Sequence, residues 1–308
     1  MTQPILIAGP TASGKSTLAL ELAAHLGDCV IVNADSMQVY DGWHLLTARP
    51  SRAEAARAPH HLYGHVDPSI RYSVGAWMRD MEHLLAMARD SGATPVIVGG
   101  TGLYFSALTQ GLSNIPPIPA RIRTEAQDKL AREGPQTFRR DLLADDPAAA
   151  RLDIENPRRM LRAWEVVMAT GRSITDWARE TPPPLLPLDR ACALAIEGDR
   201  DTVIARIDGR FDAMIEGGLL AEVAAMSARD LDPALPAMLA VGAPPLMAHL
   251  AGEMTLEDAV LRAKIDTRRY AKRQRTWLRN QMADWTRIPM GTGADTLFER
   301  ISQAGCRS

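Results

Sequence analysis

Short apolar runs alternate with longer amphipathic stretches along much of the chain. Four such runs stand at 5–8, 29–32, 95–98 and 191–196. Each is too short for a stable helix and is typical of a buried parallel strand. The stretch at 74–89 has helical periodicity, as a crossover between parallel strands requires. The pattern predicts an α/β fold with a doubly wound parallel sheet flanked by helices.

A segment of different composition interrupts this alternation. Between two proline-rich bends, at 116–119 and 182–184, the chain is rich in Arg, Ala, Leu, Asp and Glu in helical periodicity. We therefore predict an inserted all-helical lobe over 116–185, carried by a catalytic core that comprises 1–115 and 186–308.

Composition narrows the class of protein. A chain of 308 residues with 46% apolar residues can bury a large core, and its net charge of −2 does not by itself indicate a nucleic-acid partner. The chain has no apolar run long enough to span a membrane, and its start leads directly into the first predicted strand. We expect a cytoplasmic protein with no membrane partner.

The three cysteines are widely separated. Cys29, Cys192 and Cys306 have no paired spacing, which excludes a disulfide framework and a cysteine-based zinc site. We expect all three to be packing thiols.

A glycine-rich motif follows the first predicted strand and precedes an apolar helical pattern. Its spacing, G-x-x-x-x-G-K-[ST], lets backbone N–H groups surround a diphosphate, while Lys15 reaches the outer oxygens and Ser16 offers a hydroxyl to Mg²⁺. An ordinary Gly/Ser turn is the alternative, but the strand and helix on either side favour phosphate binding. The predicted diphosphate-binding residues are Gly9, Pro10, Thr11, Ala12, Ser13, Gly14, Lys15 and Ser16.

Polar residues follow two further predicted strands. Asp35 comes after the second run, and Thr101 lies in a glycine-rich turn, 99–102, after the third. Because ligands of such sheets bind beyond the carboxyl ends of the strands, we expect both residues to face the phosphate loop. Asp35 could hold Mg²⁺ through water or accept a proton. A helix cap or turn is the structural alternative for Asp35, and a tight turn for 99–102.

Basic residues concentrate in two places. Arg268, Lys272, Arg275 and Arg279 recur at helical spacing along one face. Tyr270 and Trp277 lie among them, which favours contact with a phosphate backbone over an ordinary solvated helix. Arg158, Arg159 and Arg162 form a second group in the predicted lobe, where a salt-bridged surface is the alternative.

His60, His61 and His65 could suggest a metal, but adjacent histidines point in different directions and no carboxylate stands at ligand spacing. We expect a surface or turn role for them.

Seven blocks, in order, closely resemble the bacterial tRNA dimethylallyltransferase (isopentenyltransferase) family. They are GPTASGKS at 9–16, NADSMQVY at 33–40, TARP at 47–50, PHHL at 59–62, VGGTGLY at 98–104, NPRRMLRAWEV at 156–166 and AKRQRTWLR at 271–279. The resemblance implies a P-loop NTPase-like fold. It also implies transfer of a dimethylallyl group from dimethylallyl diphosphate to N6 of adenosine 37 in the tRNA anticodon stem-loop. Mg²⁺ would be the cofactor, and we expect a monomer.

The resemblance also assigns roles to residues. Asp35 would take the proton of the adenine amine, Thr101 would lie near the diphosphate and the tRNA, and Arg206 would bind the diphosphate. The implied tRNA contacts are Asp35, Ser36, Met37, Gln38, Thr101, Arg123, Arg158, Arg159, Met160, Leu161, Arg162, Arg273 and Arg275. The chain departs from the family at 241–245, VGAPP, where Ala243 replaces the usual aromatic residue.

Three alternatives remain open at this point. They are a P-loop small-molecule kinase, a prenyltransferase that acts on free adenine nucleotide, and a non-enzymatic RNA-binding switch.

Overall fold

The computed structural model describes residues 3–303. The strands are β1 (Ile5–Ala8), β2 (Cys29–Asn33), β3 (His60–His61), β4 (Thr94–Gly99), β5 (Cys192–Glu197) and β6 (Thr286–Pro289). The first α-helices are α1 (Lys15–Leu26), α2 (Arg52–Ala55), α3 (Val74–Ser91), α4 (Gly102–Gln110), α5 (Ala120–Asp145) and α6 (Pro157–Thr170). The remaining α-helices are α7 (Ile174–Arg179), α8 (Arg200–Glu216), α9 (Leu219–Ser227), α10 (Ala243–Leu250), α11 (Leu256–Gln281) and α12 (Ala294–Gln303).

The strands form one six-stranded sheet in the order β3-β2-β4-β1-β5-β6, and every pairing is parallel. β1 lies between β4 and β5, with Ile5 opposite Val96 and Cys192. The loops that follow these three strands therefore meet at one edge of the sheet. The arrangement confirms the predicted parallel α/β fold.

Both faces of the sheet are buried. Along β1, Ile5 and Ile7 pack into one core with Leu22 of α1, whereas Leu6 packs into the opposite core with Phe105 of α4. Because successive side chains of a strand point to opposite faces, burial on both sides requires the continuous apolar run that the sequence has.

Two strands were not predicted. His60 and His61 form β3, in which His60 lies opposite Ile31 of β2, so the expected turn is wrong for this pair, which forms a half-buried edge strand. β6 is short and mostly exposed, and its sequence, TRIP, lacks an apolar run. Among the residues that the structure describes, no group of three or more His, Cys, Asp or Glu could hold a metal.

Residues Gln110–Pro184 form a compact unit distinct from the rest of the chain. It contains α5, α6 and α7, and its core includes Phe138, Leu142 and Trp164. Gly134, with φ of 77°, interrupts α5 in a conformation that glycine adopts without strain. This unit has its own hydrophobic core and is called the helical unit below.

Cys29 and Cys192 are buried, as expected of packing thiols, and Cys306 lies outside the described residues. None of the helices in the described part of the chain combines the length and apolar character needed to cross a membrane.

Candidate active site

The phosphate loop connects β1 to α1 at the carboxyl edge of the sheet. Its backbone is tightly turned: Ala12 and Gly14 have φ of 64° and 86°, and α1 begins at Lys15. Gly9 has no room for a side chain, because a Cβ there would lie 2.6 Å from the Ser13 hydroxyl. That hydroxyl is itself buried and has no hydrogen-bond partner among the described residues. The loop has the tight turns and helix start that bind anions.

Lys15 is the central cation of this loop. Its Nζ donates to the carbonyl of Pro10 at 3.4 Å. Burial lowers the pKa of Lys15 to about 8, while the nearby Asp35 carboxylate raises it and the Arg210 guanidinium lowers it further. A desolvated cation of this kind is stabilised by a bound anion.

Asp35 follows β2 and is positioned by Asn33. The Asn33 amide accepts from the Asp35 N–H at 2.8 Å and donates to the Asp35 carbonyl at 2.9 Å. The Asp35 carboxylate accepts from the Met37 N–H at 2.9 Å, a short-range turn that leaves its second oxygen available. As expected from its place after the strand, Asp35 lies within electrostatic range of Lys15.

Thr101 joins the turn after β4 to the segment after β2. Its hydroxyl accepts from the Ser36 N–H at 2.9 Å and donates to the Ser36 hydroxyl at 3.2 Å. The Thr101 N–H also donates to the Ala34 carbonyl at 3.1 Å. A Cβ on Gly99 would overlap the Ala34 carbonyl, so glycine at that position permits the close approach.

Two arginines of α8 reach the phosphate loop. Arg206 is exposed and lies near Gly14, where a Cβ would be 3.8 Å from its Nη1. Arg210 is half-buried and donates to the Thr11 hydroxyl. Burial lowers the pKa of Arg210, and Asp35 opposes that shift. Arg210 was not predicted, although its spacing of four from Arg206 puts the two on the same helix face.

A small cavity of about 60 Å³ lies beside these groups. Asp35, Arg210 and Tyr270 are among its polar lining residues, together with three threonines. Its apolar lining includes Met37, Leu46, Ile207, Phe211, Met214 and Val241. The cavity therefore combines a carboxylate and a guanidinium with a surface suited to a small hydrocarbon group.

The basic face of α11 borders a larger groove of about 660 Å³. Arg268, Lys272, Arg275 and Arg279 all line it, as their helical spacing predicts. Arg268 is paired with Asp208 of α8 at 2.9 Å. Arg273 does not line this groove; its guanidinium lies 5.6 Å from the centre of the Tyr270 ring. The two predicted tRNA contacts of this helix, Arg273 and Arg275, thus belong to different faces.

Gln274 of α11 contacts the phosphate loop, and Tyr270 of the same helix lines the small cavity beside Asp35. Gln274 was not predicted, and Tyr270 was expected only to favour contact with a phosphate backbone. Burial and the Asp35 carboxylate raise the pKa of Tyr270, while hydrogen bonds with Thr101 and Gln274 oppose that shift. Gln274 is buried within a basic run. One amide residue within a helix of charged and apolar residues is only a weak indication, in the sequence, of a functional site.

Of the predicted residues after β2, Gln38 is engaged internally. Its amide donates to the carbonyls of Thr47 and Ala48 at 2.8 and 3.0 Å, which supports the loop that carries Met37.

The predicted contacts in the helical unit differ in exposure. Arg158 is exposed, Arg159 pairs with Asp153 at 3.2 Å, and Arg162 pairs with Glu165 at 3.6 Å. Three others are less accessible: Arg123 is half-buried, Leu161 packs against the core, and Met160 is 1% exposed within it. Because the Met160 side chain faces the core, it is not accessible on the surface, and its expected contact with tRNA stays a prediction.

The departure from the family at 241–245 has a local consequence. Ala243 is fully buried, and α10 begins there with Pro244 and Pro245 in its first turn. Proline is tolerated at that place because first-turn N–H groups have no partner within the helix.

Comparisons with known proteins show which family this chain resembles. The family model described as IPP transferase matches residues 38–281. A tRNA dimethylallyltransferase of Cereibacter sphaeroides is 54% identical over 93% of this chain and 96% of the relative. One of Bradyrhizobium sp. is 52% identical over 91% of each chain.

Two solved structures extend the likeness to the fold. A full-length tRNA isopentenylpyrophosphate transferase from Bacillus halodurans has a TM-score of 0.71 and 33% identity, covering 99% of this chain and 97% of that one. A eukaryotic dimethylallyltransferase acting on tRNA has a TM-score of 0.81 and 26% identity, covering 98% of this chain and 79% of that one.

Proposed function

The chain belongs to the IPP transferase family, and from this membership and the site geometry we infer its function. It is a prenyltransferase that transfers a dimethylallyl group to tRNA. We propose that the donor is dimethylallyl diphosphate and that the acceptor is N6 of adenosine 37 in the anticodon stem-loop. The observation that carries the proposal is the convergence of a carboxylate, desolvated cations and a small apolar cavity around one phosphate loop.

The cations suit the departing group. As the allylic carbon–oxygen bond breaks, negative charge builds on the diphosphate. Lys15 and Arg210 lie in surroundings that favour a bound anion, and Arg206 lies near Gly14 of the same loop. In the proposed reaction these three residues stabilise the leaving diphosphate, together with the N–H groups at the start of α1.

A magnesium ion fits the available donors only together with the substrate. Ser16 is half-buried in the first turn of α1, and no cluster of three metal-ligating side chains exists among the described residues. Mg²⁺ commonly combines one or two protein oxygens with substrate phosphates. We propose that Ser16 supplies such an oxygen and that Mg²⁺, when bound, neutralises charge on the diphosphate.

Asp35 supplies the base. The exocyclic amine of adenine is a weak nucleophile because its lone pair is delocalised into the ring. In the proposed step its nitrogen bonds to the allylic carbon, its proton passes to the Asp35 carboxylate, and diphosphate leaves with the electrons of the carbon–oxygen bond. Thr101 holds the Ser36 backbone next to this carboxylate.

The target base must leave the anticodon stack to reach such a site, which costs a few kcal/mol. We propose that basic surfaces offset this cost, with Arg273 and Arg275 acting in the core and Arg123, Arg158, Arg159 and Arg162 in the helical unit. Because the substrate is tRNA and one chain carries every residue named for the reaction, we propose a cytoplasmic monomer.

The deciding experiment incubates the protein with tRNA, Mg²⁺ and dimethylallyl diphosphate and analyses the tRNA nucleosides by mass spectrometry. We expect one prenyl group on a single adenosine and release of one diphosphate. Parallel reactions replace the donor with ATP or the acceptor with free AMP. Phosphate transfer from ATP would support the kinase, whereas AMP prenylation as fast as tRNA prenylation would support the free-nucleotide enzyme.

A non-enzymatic RNA switch predicts no turnover with any of these substrates. That outcome would overturn the proposal even if tRNA binding were intact.

A further inference from the structure

Gln274 occupies a buried place in the most basic part of α11. It is 6% exposed, whereas its neighbours Arg273 and Arg275 are exposed. Burial of an amide costs free energy unless its donor and acceptor both find partners. The hydrogen-bond partners of this side chain therefore indicate its role.

Gln274 connects two loops that emerge from adjacent strands. Its Oε1 accepts from the Thr11 N–H of the phosphate loop at 2.8 Å. Its Nε2 donates to the carbonyl of Gly100, in the turn after β4, at 2.9 Å. One amide thus satisfies a backbone donor in the first loop and a backbone acceptor in the second.

The glycine turn accommodates this helix closely. A Cβ on Gly100 would overlap the Gln274 amide, and one on Gly102 would overlap the Trp277 indole. Both glycines therefore allow α11 to approach the turn that carries Thr101. The same helix also contacts Thr101 through Tyr270, which is one turn before Gln274.

We propose that Gln274 is a positioning residue, which holds the phosphate loop and the 99–102 turn at the spacing required for transfer. The inference rests on the proposed function, because it assigns the diphosphate to the first loop and the tRNA side to Thr101. The role needs a donor and an acceptor on one planar group. Methionine has no N–H donor and only a weak sulfur acceptor, and an ionised glutamate supplies acceptors only.

The test measures the affinity of the full-length protein for inorganic pyrophosphate with Mg²⁺ by calorimetry, and its affinity for tRNA by filter binding. For Gln274→Met we expect pyrophosphate affinity and kcat to fall about tenfold or more, with tRNA affinity within about twofold of wild type.

Gln274→Glu adds a readout that a packing role would not change. At pH 8 we expect it to bind pyrophosphate as weakly as Gln274→Met. Burial and the Gly100 carbonyl raise the pKa of the introduced carboxyl, and its protonated form can donate to Gly100 while accepting from Thr11. Lowering the pH to about 5.5 should therefore restore the affinity relative to wild type. Lys15 titrates in both proteins, so its contribution cancels in that ratio, whereas Tyr270 and Arg210 keep their charge states between these pH values.

Thr109→Val is the matched control. It removes a buried hydroxyl that donates to the Phe105 carbonyl within α4, without touching either loop. We expect it to leave pyrophosphate affinity unchanged even if it lowers the melting temperature.

Two outcomes would overturn the inference. One is wild-type pyrophosphate binding by Gln274→Met, and the other is failure of low pH to improve Gln274→Glu relative to wild type. Failure of the proposed function is separable, because wild type would then bind pyrophosphate but transfer no prenyl group.

Discussion

The phosphate-loop site and the helical unit hold their positive charges in different surroundings. Lys15 and Arg210 are half-buried, burial lowers the pKa of each, and among the residues that the structure describes neither forms an ion pair with a carboxylate. In the helical unit, Arg159 and Arg162 remain accessible to solvent and pair with Asp153 and Glu165.

This difference distinguishes a site suited to a bound anion from a surface whose ion pairs can be replaced by contacts with RNA. An unpaired cation that has lost its water costs free energy until an anion offsets the loss. A solvated ion pair contributes about 0–1 kcal/mol, so an RNA phosphate can replace its carboxylate at small cost. Changes at the phosphate loop should therefore act on turnover, and changes in the helical unit on RNA affinity.

The largest expected effect comes from Asp35→Asn. The amide cannot accept the adenine proton, so turnover should fall about 10²- to 10⁴-fold while pyrophosphate affinity changes little. Single-turnover prenylation of tRNA, followed by mass spectrometry, measures it. Asp41→Asn is the control, because Asp41 is exposed and hydrogen-bonds its own turn. Retention of turnover by the Asp35 variant would show that another group takes the proton.

Arg210→Gln should lower kcat about 10²- to 10³-fold, because it removes a donor that, in the proposed reaction, stabilises the leaving diphosphate. Steady-state kinetics with saturating tRNA checks this value. Arg89→Gln, on the exposed end of α3 that precedes β4, makes the same chemical change and should have no effect on kcat. A drop in tRNA affinity with unchanged kcat would instead indicate that Arg210 contacts RNA, as proposed for the arginines of the helical unit.

Sequence alone predicted the parts of this site that depend on local motifs. The loop at 9–16, Asp35 and Thr101 follow from strand ends and glycine spacing. Arg210 and Gln274 could not be predicted as site residues in this way. Each contacts Thr11, which lies 199 and 263 residues away along the chain, respectively.

Helix faces explain other differences. Residues two apart on a helix point about 200° apart, which separates Arg273 from Arg275. The same geometry turns Met160 into the core of the helical unit while Arg158 and Arg159 stay exposed. A motif of consecutive residues gives their order but not the face that each one presents.

A moderate effect is expected from reversing charge in the helical unit. Arg159→Glu with Arg162→Glu should weaken tRNA binding roughly tenfold and reduce its salt dependence, with kcat at saturating tRNA unchanged. Filter binding at several salt concentrations measures both. The pair Arg132→Glu and Arg140→Glu changes the same net charge at other exposed positions of this unit and serves as the control. Equal losses in the two double variants would indicate general electrostatic attraction rather than a defined surface.

The smallest expected effect is a pH dependence confined to the phosphate loop. In the proposed reaction the charged form of Lys15 binds the diphosphate, and the pKa of Lys15 is lowered by burial to about 8. Raising the pH through this value removes the charge, so pyrophosphate affinity should fall about fourfold between pH 7 and 8.5 relative to Lys15→Arg, whose guanidinium stays charged. Calorimetry on both proteins in the same buffers cancels the titration of pyrophosphate itself.

Since the arginines of the helical unit do not titrate in this range, tRNA affinity measured without pyrophosphate should not show this decline. A parallel decline in tRNA affinity would mean that RNA also depends on the Lys15 charge, and the two regions would then not act separately.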